Sequence, residues 1–150
     1  MDFRTKVDNQ VYGVRVSALM IRDGQIYLVK SPKEGYYLLG GAILVNETTE
    51  EAIKREIKEE VGISIEVEKL AFIVENHFTL EETSYHQVEF HYLVQPLGEP
   101  RTEIIEGGEA RSCEWVPLDQ LGSLDLNPSF LKKALHQLDT PLTHVTNKGV

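Results

Sequence analysis

The chain has 150 residues, a formal net charge of −9, 41% hydrophobic and 26% charged residues, and a single cysteine, Cys113. Those values suit one globular domain over 1–150 with a sizeable core, and they argue against a nucleic-acid polymer or an anionic membrane as partner. No apolar run reaches the ~18 residues of a membrane span. The N-terminus MDFRTKVDNQ lacks an apolar signal core. One cysteine excludes an internal disulfide and a cysteine metal cluster, so a cytoplasmic protein is expected, with a homodimer left open.

Residues 1–10 are polar and read as an edge segment or a loose arm. Val11 to Ile21 reads as a strand. Val14, Val16, Ala18 and Met20 alternate onto one face, and Arg15, Ser17, Leu19 and Ile21 onto the other. Asp23-Gly24 is a hairpin turn signal, with Gln25 to Lys30 as the returning strand. Residues 31–35 are loop-like, and Tyr36 to Leu39 is a short apolar run into Gly40-Gly41.

Thr48 and Glu51 make a Thr-x-x-Glu capping box. The helix it starts meets neither Gly nor Pro until Gly62, where a left-handed residue ends it at about Val61. Ile53, Ile57 and Val61 form its apolar arc. Glu56, Glu59 and Glu60 fall within about 100° of one another at the edge of that arc. Like charges at these spacings repel by roughly 0.2–0.5 kcal/mol per pair, and they crowd the helix end where negative charge is disfavoured. A hard divalent cation would relieve them, since Mg²⁺ prefers carboxylate oxygen.

Beyond the helix, Ile63 to Val67 and Leu70 to Phe78 are strand candidates, with Glu81 to Ser84 as a turn. Tyr85 to Gln95 is the clearest strand: Val88, Phe90, Tyr92 and Val94 face one way, Gln87, Glu89 and His91 the other. His86 and His91 therefore point to opposite faces and cannot pair as ligands on that strand; one of them could reach the site, but a hydrogen-bonded structural role is the expectation for either. Pro96 to Gly108 reads as loop, Cys113 to Val116 as a short strand, and Asn127-Pro128 as the start of a helix to about Leu138. The tail after Pro141 is expected to fray. Strands around one central helix and one late helix indicate an α/β fold, a mixed β-sheet between helices.

From Gly41 the sequence runs five residues to Glu47, seven more to Arg55-Glu56-Ile57, then Glu59-Glu60 and Gly62-Ile63. This resembles the signature of the Nudix hydrolase family, G-x5-E-x7-R-E-U-x-E-E-x-G-U with U aliphatic, at every specified position. The resemblance implies the Nudix-type α/β/α sandwich and hydrolysis of a diphosphate linkage in a nucleoside diphosphate derivative. It implies Mg²⁺ or Mn²⁺ held by Glu56, Glu59, Glu60 and the backbone carbonyl near Gly40. Arg55 would orient carboxylates through Glu47 or Glu56, and Gly40 and Gly41 would let the loop approach metal and phosphate. A further acidic ligand or base is implied upstream of Trp115; counting back six residues gives Glu109, with Glu103 and Glu106 as alternatives.

Three positions depart from common members of the family: Leu39 where Pro is frequent, Leu44 where Glu is frequent, and Asn46 where Gly is frequent. Asn46 can still take left-handed angles. Neither subfamily marker, a Pro of ADP-ribose hydrolases or a Tyr of dinucleoside polyphosphate hydrolases, occurs in the region around residues 76–81. That tilts the expected small-molecule substrate toward a nucleoside triphosphate, with ADP-ribose, nucleotide sugars, dinucleoside polyphosphates and a non-catalytic nucleotide sensor as alternatives. Tyr12, Tyr36, Tyr37 and Phe78 are the candidate base-stacking side chains.

Overall fold

The computed structural model describes residues 1–32 and 35–148. Its elements run β1 (Arg4–Val7), β2 (Gln10–Arg22), β3 (Gln25–Lys30), β4 (Tyr36–Tyr37), β5 (Gly40–Ala42), α1 (Thr49–Val61), β6 (Ile65–Leu80) and β7 (Thr83–Pro96). They continue with β8 (Glu103–Glu106), β9 (Glu109–Pro117), a 3-10 turn (Leu118–Ser123), β10 (Leu126–Asn127), α2 (Leu131–Ala134) and β11 (Thr143–Lys148). The sheet order is β10-β4-β3-β2-β7-β6-β11. The β2–β7 and β6–β11 pairs are parallel, while β2–β3 and β6–β7 are antiparallel, so the sheet is mixed. No helix among the described residues is long and apolar enough to cross a membrane.

The alternation in β2 sends its side chains into two different cores. Val16, Ala18 and Met20 pack with Ile53, Ile57 and Val61 of α1 on one face. Leu19 packs on the other face, with Leu121 of the 3-10 turn and Leu131 of α2. Burying each such side chain contributes roughly 1.5–3 kcal/mol, and helices against both faces complete the α/β/α sandwich. Cys113 lies buried in the α1-side core, where burial pushes its thiol up to about 12; it is a packing residue.

The structure corrects four expectations. The two strand candidates after α1 are one strand, β6, with irregularities between Val67 and Lys69 and between Leu70 and Phe72 that absorb the break in alternation. The supposed loop before Gly108 contains β8, which pairs with β9 across the Gly107-Gly108 turn; both glycines have positive φ, as such a turn needs. Asn127 does not cap a helix, because Leu126 and Asn127 pair with Tyr36 and Tyr37; α2 is confined to Leu131–Ala134. The tail is not loose: β11 runs beside β6 from Thr143↔Phe72 to Lys148↔His77. For Asn127 and β11 a pairing distant in sequence outweighs local propensity.

Candidate active site

The site starts from how α1 is held. Thr48 Oγ1 accepts from Glu51 N at 3.1 Å, and Gly62 closes the helix at φ 78°. Ala52, Ile53, Ile57 and Val61 are fully buried, so the rotation of the helix about its axis is set by packing. The preceding loop reaches it through β5, which pairs with Ser17, Val16 and Arg15 of β2. Two glycines permit that approach. A Cβ on Gly40 would stand 2.0 Å from Val16 O, and one on Gly41 would strike the Glu56 carboxylate at 2.5–2.7 Å. Asn46 takes φ 71°, supplying the left-handed turn before Glu47.

Arg55 ties the loop to the helix. Its Nε and Nη2 donate to the two oxygens of Glu47 at 2.6 and 2.9 Å, a bidentate pair. Nη2 also donates to Ala42 O at 3.2 Å, and Nη1 to Glu56 Oε1 at 3.0 Å and Glu59 Oε2 at 3.2 Å. Glu47 Oε1 in turn accepts from Leu44 N at 2.9 Å. The Arg55 guanidinium holds the Glu47 carboxyl below its ordinary value, assisted by that backbone donor and opposed by burial.

The three helix carboxylates are not arranged alike. Glu56 and Glu60 lie against each other at the buried edge of the helix. Burial above all, and then the neighbouring Glu56 carboxylate, push Glu60 up to about 8; Arg15 pulls the other way and Glu106 adds to the rise. Glu59 is different: its side chain is 61% exposed against 14% for Glu56, and its bond is to Arg55. Among the described residues no three acidic or imidazole side chains converge as a ready-made ligand group. Of the three carboxylates expected together, two lie against each other and the third, Glu59, is tied to Arg55 on the exposed side. An all-oxygen donor set with two carboxylates forced together fits a hard divalent cation.

Of the three carboxylates, Glu56 opens onto a cleft of about 680 Å³, within the range of small-molecule sites. Gly40, Gly41, Arg55 and Glu56 line one side. Its floor is polar sheet. Asn147 Nδ2 donates to Asn76 Oδ1 at 2.8 Å, Asn76 Nδ2 to Glu89 Oε2 at 2.9 Å, and His91 Nε2 to Glu89 Oε1 at 2.8 Å. Burial would raise the Glu89 carboxyl, but His91, Arg15 and Asn76 outweigh it and hold the group below its ordinary value. His91 is fully buried in this network, as expected of a structural histidine, and His86 stacks on His77 at 5.3 Å. Sequence reading missed the floor: Arg15, Asn76 and Glu89 were seen only as a polar alternation. The signal was available in the shared polarity of Arg15-x-Ser17 and Gln87-x-Glu89-x-His91, two strands that turn out to be neighbours.

The acidic residues near Trp115 separate by position. Glu106 lines the cleft, where it accepts from Tyr37 Oη and, at 3.2 Å, from Arg111 Nη1. Glu109 is exposed across the hairpin turn and Glu103 is exposed at the start of β8; neither lines the cleft. The count back from Trp115 assumed a loop, and a hairpin places residues by register. Of the aromatic candidates, Tyr37 and Phe78 line the cleft, with Phe78 stacked on Tyr85 at 4.9 Å, while Tyr12 and Tyr36 are outside it. Trp115 itself is a packing residue, against Tyr27 at 4.8 Å and under Arg22.

A mixed sheet between helices, with a braced acidic helix beside a cleft, defines the α/β architecture of the chain. The family model of the NUDIX domain matches residues 11–138, and the chain belongs to that family. It is 30% identical over 115 residues to an ADP-ribose pyrophosphatase of Methanocaldococcus jannaschii, covering 74% of this chain and 65% of that protein. It is 31% identical over 106 residues to the nucleoside triphosphatase NudI of Enterobacter sp. strain 638, covering 65% of this chain and 75% of the relative. Among solved structures, a MutT NUDIX hydrolase from Burkholderia pseudomallei superposes with a TM-score of 0.56 at 31% identity, over 72% of this chain and 84% of that one.

Proposed function

We propose that this chain hydrolyses a diphosphate linkage in a nucleoside diphosphate derivative, and that a nucleoside triphosphate, cleaved to the monophosphate and pyrophosphate, is its substrate. The observation that carries the reading is the Glu56–Glu60 carboxylate pair, braced by Arg55 and Glu47, at the mouth of a nucleotide-sized cleft. Mg²⁺ or Mn²⁺ would be held by Glu56, Glu59, Glu60 and the loop carbonyl at Gly40, supplying charge neutralisation and a lower pKa for bound water.

The chain's own residues do the rest. Gly40 and Gly41 bring loop backbone close to the phosphates. Arg55 holds both Glu56 and Glu59 through Nη1, and Glu59, on the exposed side, would turn toward substrate by giving up that bond. As water bonds to phosphorus, the bridging P–O bond breaks and the water proton passes to a carboxylate. We assign the additional acidic role to Glu106 ahead of Glu109, since only Glu106 faces the cleft. The absence of the Pro and Tyr markers and the likeness to a nucleoside triphosphatase support the triphosphate; the likeness to an ADP-ribose pyrophosphatase favours ADP-ribose as the second reading.

The test is a substrate panel with Mg²⁺ and with Mn²⁺: ordinary and oxidised nucleoside triphosphates, ADP-ribose, nucleotide sugars and dinucleoside polyphosphates. Products are scored as phosphate, pyrophosphate and nucleoside monophosphate. Pyrophosphate with monophosphate from a triphosphate is expected; preferential cleavage of ADP-ribose would replace the substrate assignment, and no product from any compound would end the hydrolase reading.

A further inference from the structure

Among the described residues that line the cleft, Arg15, Arg111 and Asn127 each carry a buried polar atom with no partner, but Arg111 still donates through Nη1 to Tyr37 and Glu106, whereas no donor of Arg15 is engaged. It lies on β2, in register with Ala42 of β5 on one side and Glu89 of β7 on the other. An arginine beside a buried carboxylate would ordinarily form an ion pair with it. Here both Glu89 oxygens are already engaged, Oε1 by His91 and Oε2 by Asn76. Among the described residues Arg15 makes neither a hydrogen bond nor an ion pair, and its Nε is shut off from solvent without a partner. Arg55, across the same loop, is the contrast, donating to Glu47, Glu56, Glu59 and Ala42 O.

Position gives the orphan group a use. A Cβ on Gly40 would come within 3.0 Å of Arg15 Nη2, so the guanidinium lies directly under the loop that separates it from the acidic helix. Its charge is felt at Glu60 on one side and at Glu89 on the other. A diphosphate reaching the Glu56–Glu60 pair from the cleft therefore passes the guanidinium. Arginine offers a planar fork of donors that matches phosphate oxygens, and a desolvated, unpaired donor loses nothing when it turns to one.

We propose that Arg15 is a substrate-binding residue, holding a non-bridging phosphate oxygen of the diphosphate on the face of the Gly40–Gly41 loop opposite the acidic helix. The proposal rests on the hydrolase reading for the identity of the anion, but not for its binding. The role of Glu89, Asn76 and His91 is then to hold a fixed negative charge beside Arg15 without consuming its donors. That arrangement keeps the guanidinium in place and still available.

Binding of inorganic pyrophosphate in the presence of Mg²⁺, followed by titration calorimetry, tests this without assuming a base or a turnover. Arg15→Gln is expected to weaken pyrophosphate binding about ten- to hundredfold, the worth of a charge-assisted hydrogen bond, with Arg15→Lys recovering part of it. In turnover, the same substitution should raise KM for the best substrate of the panel more than it lowers kcat. Arg15→Gln also strips Glu89 of a neighbouring charge, so Arg15→Gln/Glu89→Gln, which removes both, serves where the single variant does not fold. Wild-type affinity in either folded variant overturns the proposal, as does a wild-type protein that binds no pyrophosphate. A wild type that binds pyrophosphate through Arg15 yet cleaves nothing leaves Arg15 in place and removes only the hydrolase reading.

Discussion

The two sides of the cleft are built on opposite principles. On the loop and helix side, the contacts of the bracing guanidinium all join residues close in sequence: Arg55 lies eight residues from Glu47 and 13 from Ala42. Its guanidinium is saturated with protein acceptors. On the sheet side the network crosses strands, Asn147 reaching Asn76 across 71 residues, and a guanidinium is left without acceptors. One side is a closed brace and the other an open receptor. Local contacts can be made redundant by helix spacing, whereas a floor assembled from separate strands presents whatever its register brings together.

The comparison can be broken most strongly on the acidic side. Glu60→Gln should lower kcat by about 100-fold or more at saturating Mg²⁺, with circular dichroism unchanged, as expected on removing a group that stabilises transition-state charge. Wild-type turnover would mean the carboxylate pair is not the catalytic platform. Next in size is the brace itself. Arg55→Lys keeps the charge but cannot span Glu47, Glu56 and Ala42 O together, so activity should fall roughly 10- to 100-fold, as for lost orienting contacts at metal sites. A kinetic effect no larger than that of an exposed Lys58→Ala control would show that the brace is decorative.

On the sheet side the expected effect is on stability. Glu89→Gln removes a buried carboxylate that accepts from His91 and Asn76 beside Arg15, and should cost about 1–3 kcal/mol in urea unfolding. The pH dependence has a definite sign. Glu89 is held below its ordinary carboxyl value in the fold. Its contribution is therefore complete above the unfolded value of about 4.3 and is lost as pH falls through the lower folded value. The wild type should lose stability more steeply than Glu89→Gln below about pH 4; parallel acid curves would mean that Glu89 is not charged in the native cleft. The smallest effect concerns the β8–β9 hairpin. Glu106→Gln should reduce kcat while Glu109→Gln stays close to wild type, and the reverse order would return the acidic role to the residue at the hairpin's exposed end.

How much was legible divides along the same line. The capping box at Thr48, the stop at Gly62 and the buried arc of Ile53, Ile57 and Val61 all act within a few turns of chain, so residue spacing reports them; the Arg55–Glu47 link came only from the family resemblance. The pairing of β11 with β6 and of Leu126-Asn127 with Tyr36-Tyr37 depends on distant partners, and the β8–β9 hairpin, though local, lies in a stretch whose Gly and Glu content reads as loop. The same reason explains why Glu109 was favoured over Glu106 and why Arg15 went unremarked as a site residue.

By itself, then, the amino-acid order determined the acidic helix with its cap and stop and the two-faced character of β2, because periodicity and short-range charge are written along the chain; the glycine approach and the arginine brace were implied by the family signature. Only the tertiary structure decided which carboxylates touch, which arginine is left unsatisfied and which side chains floor the cleft. Those outcomes come from strand register and burial: a carboxylate or guanidinium acquires its partners, and its charge its cost, from neighbours that the fold brings in from elsewhere.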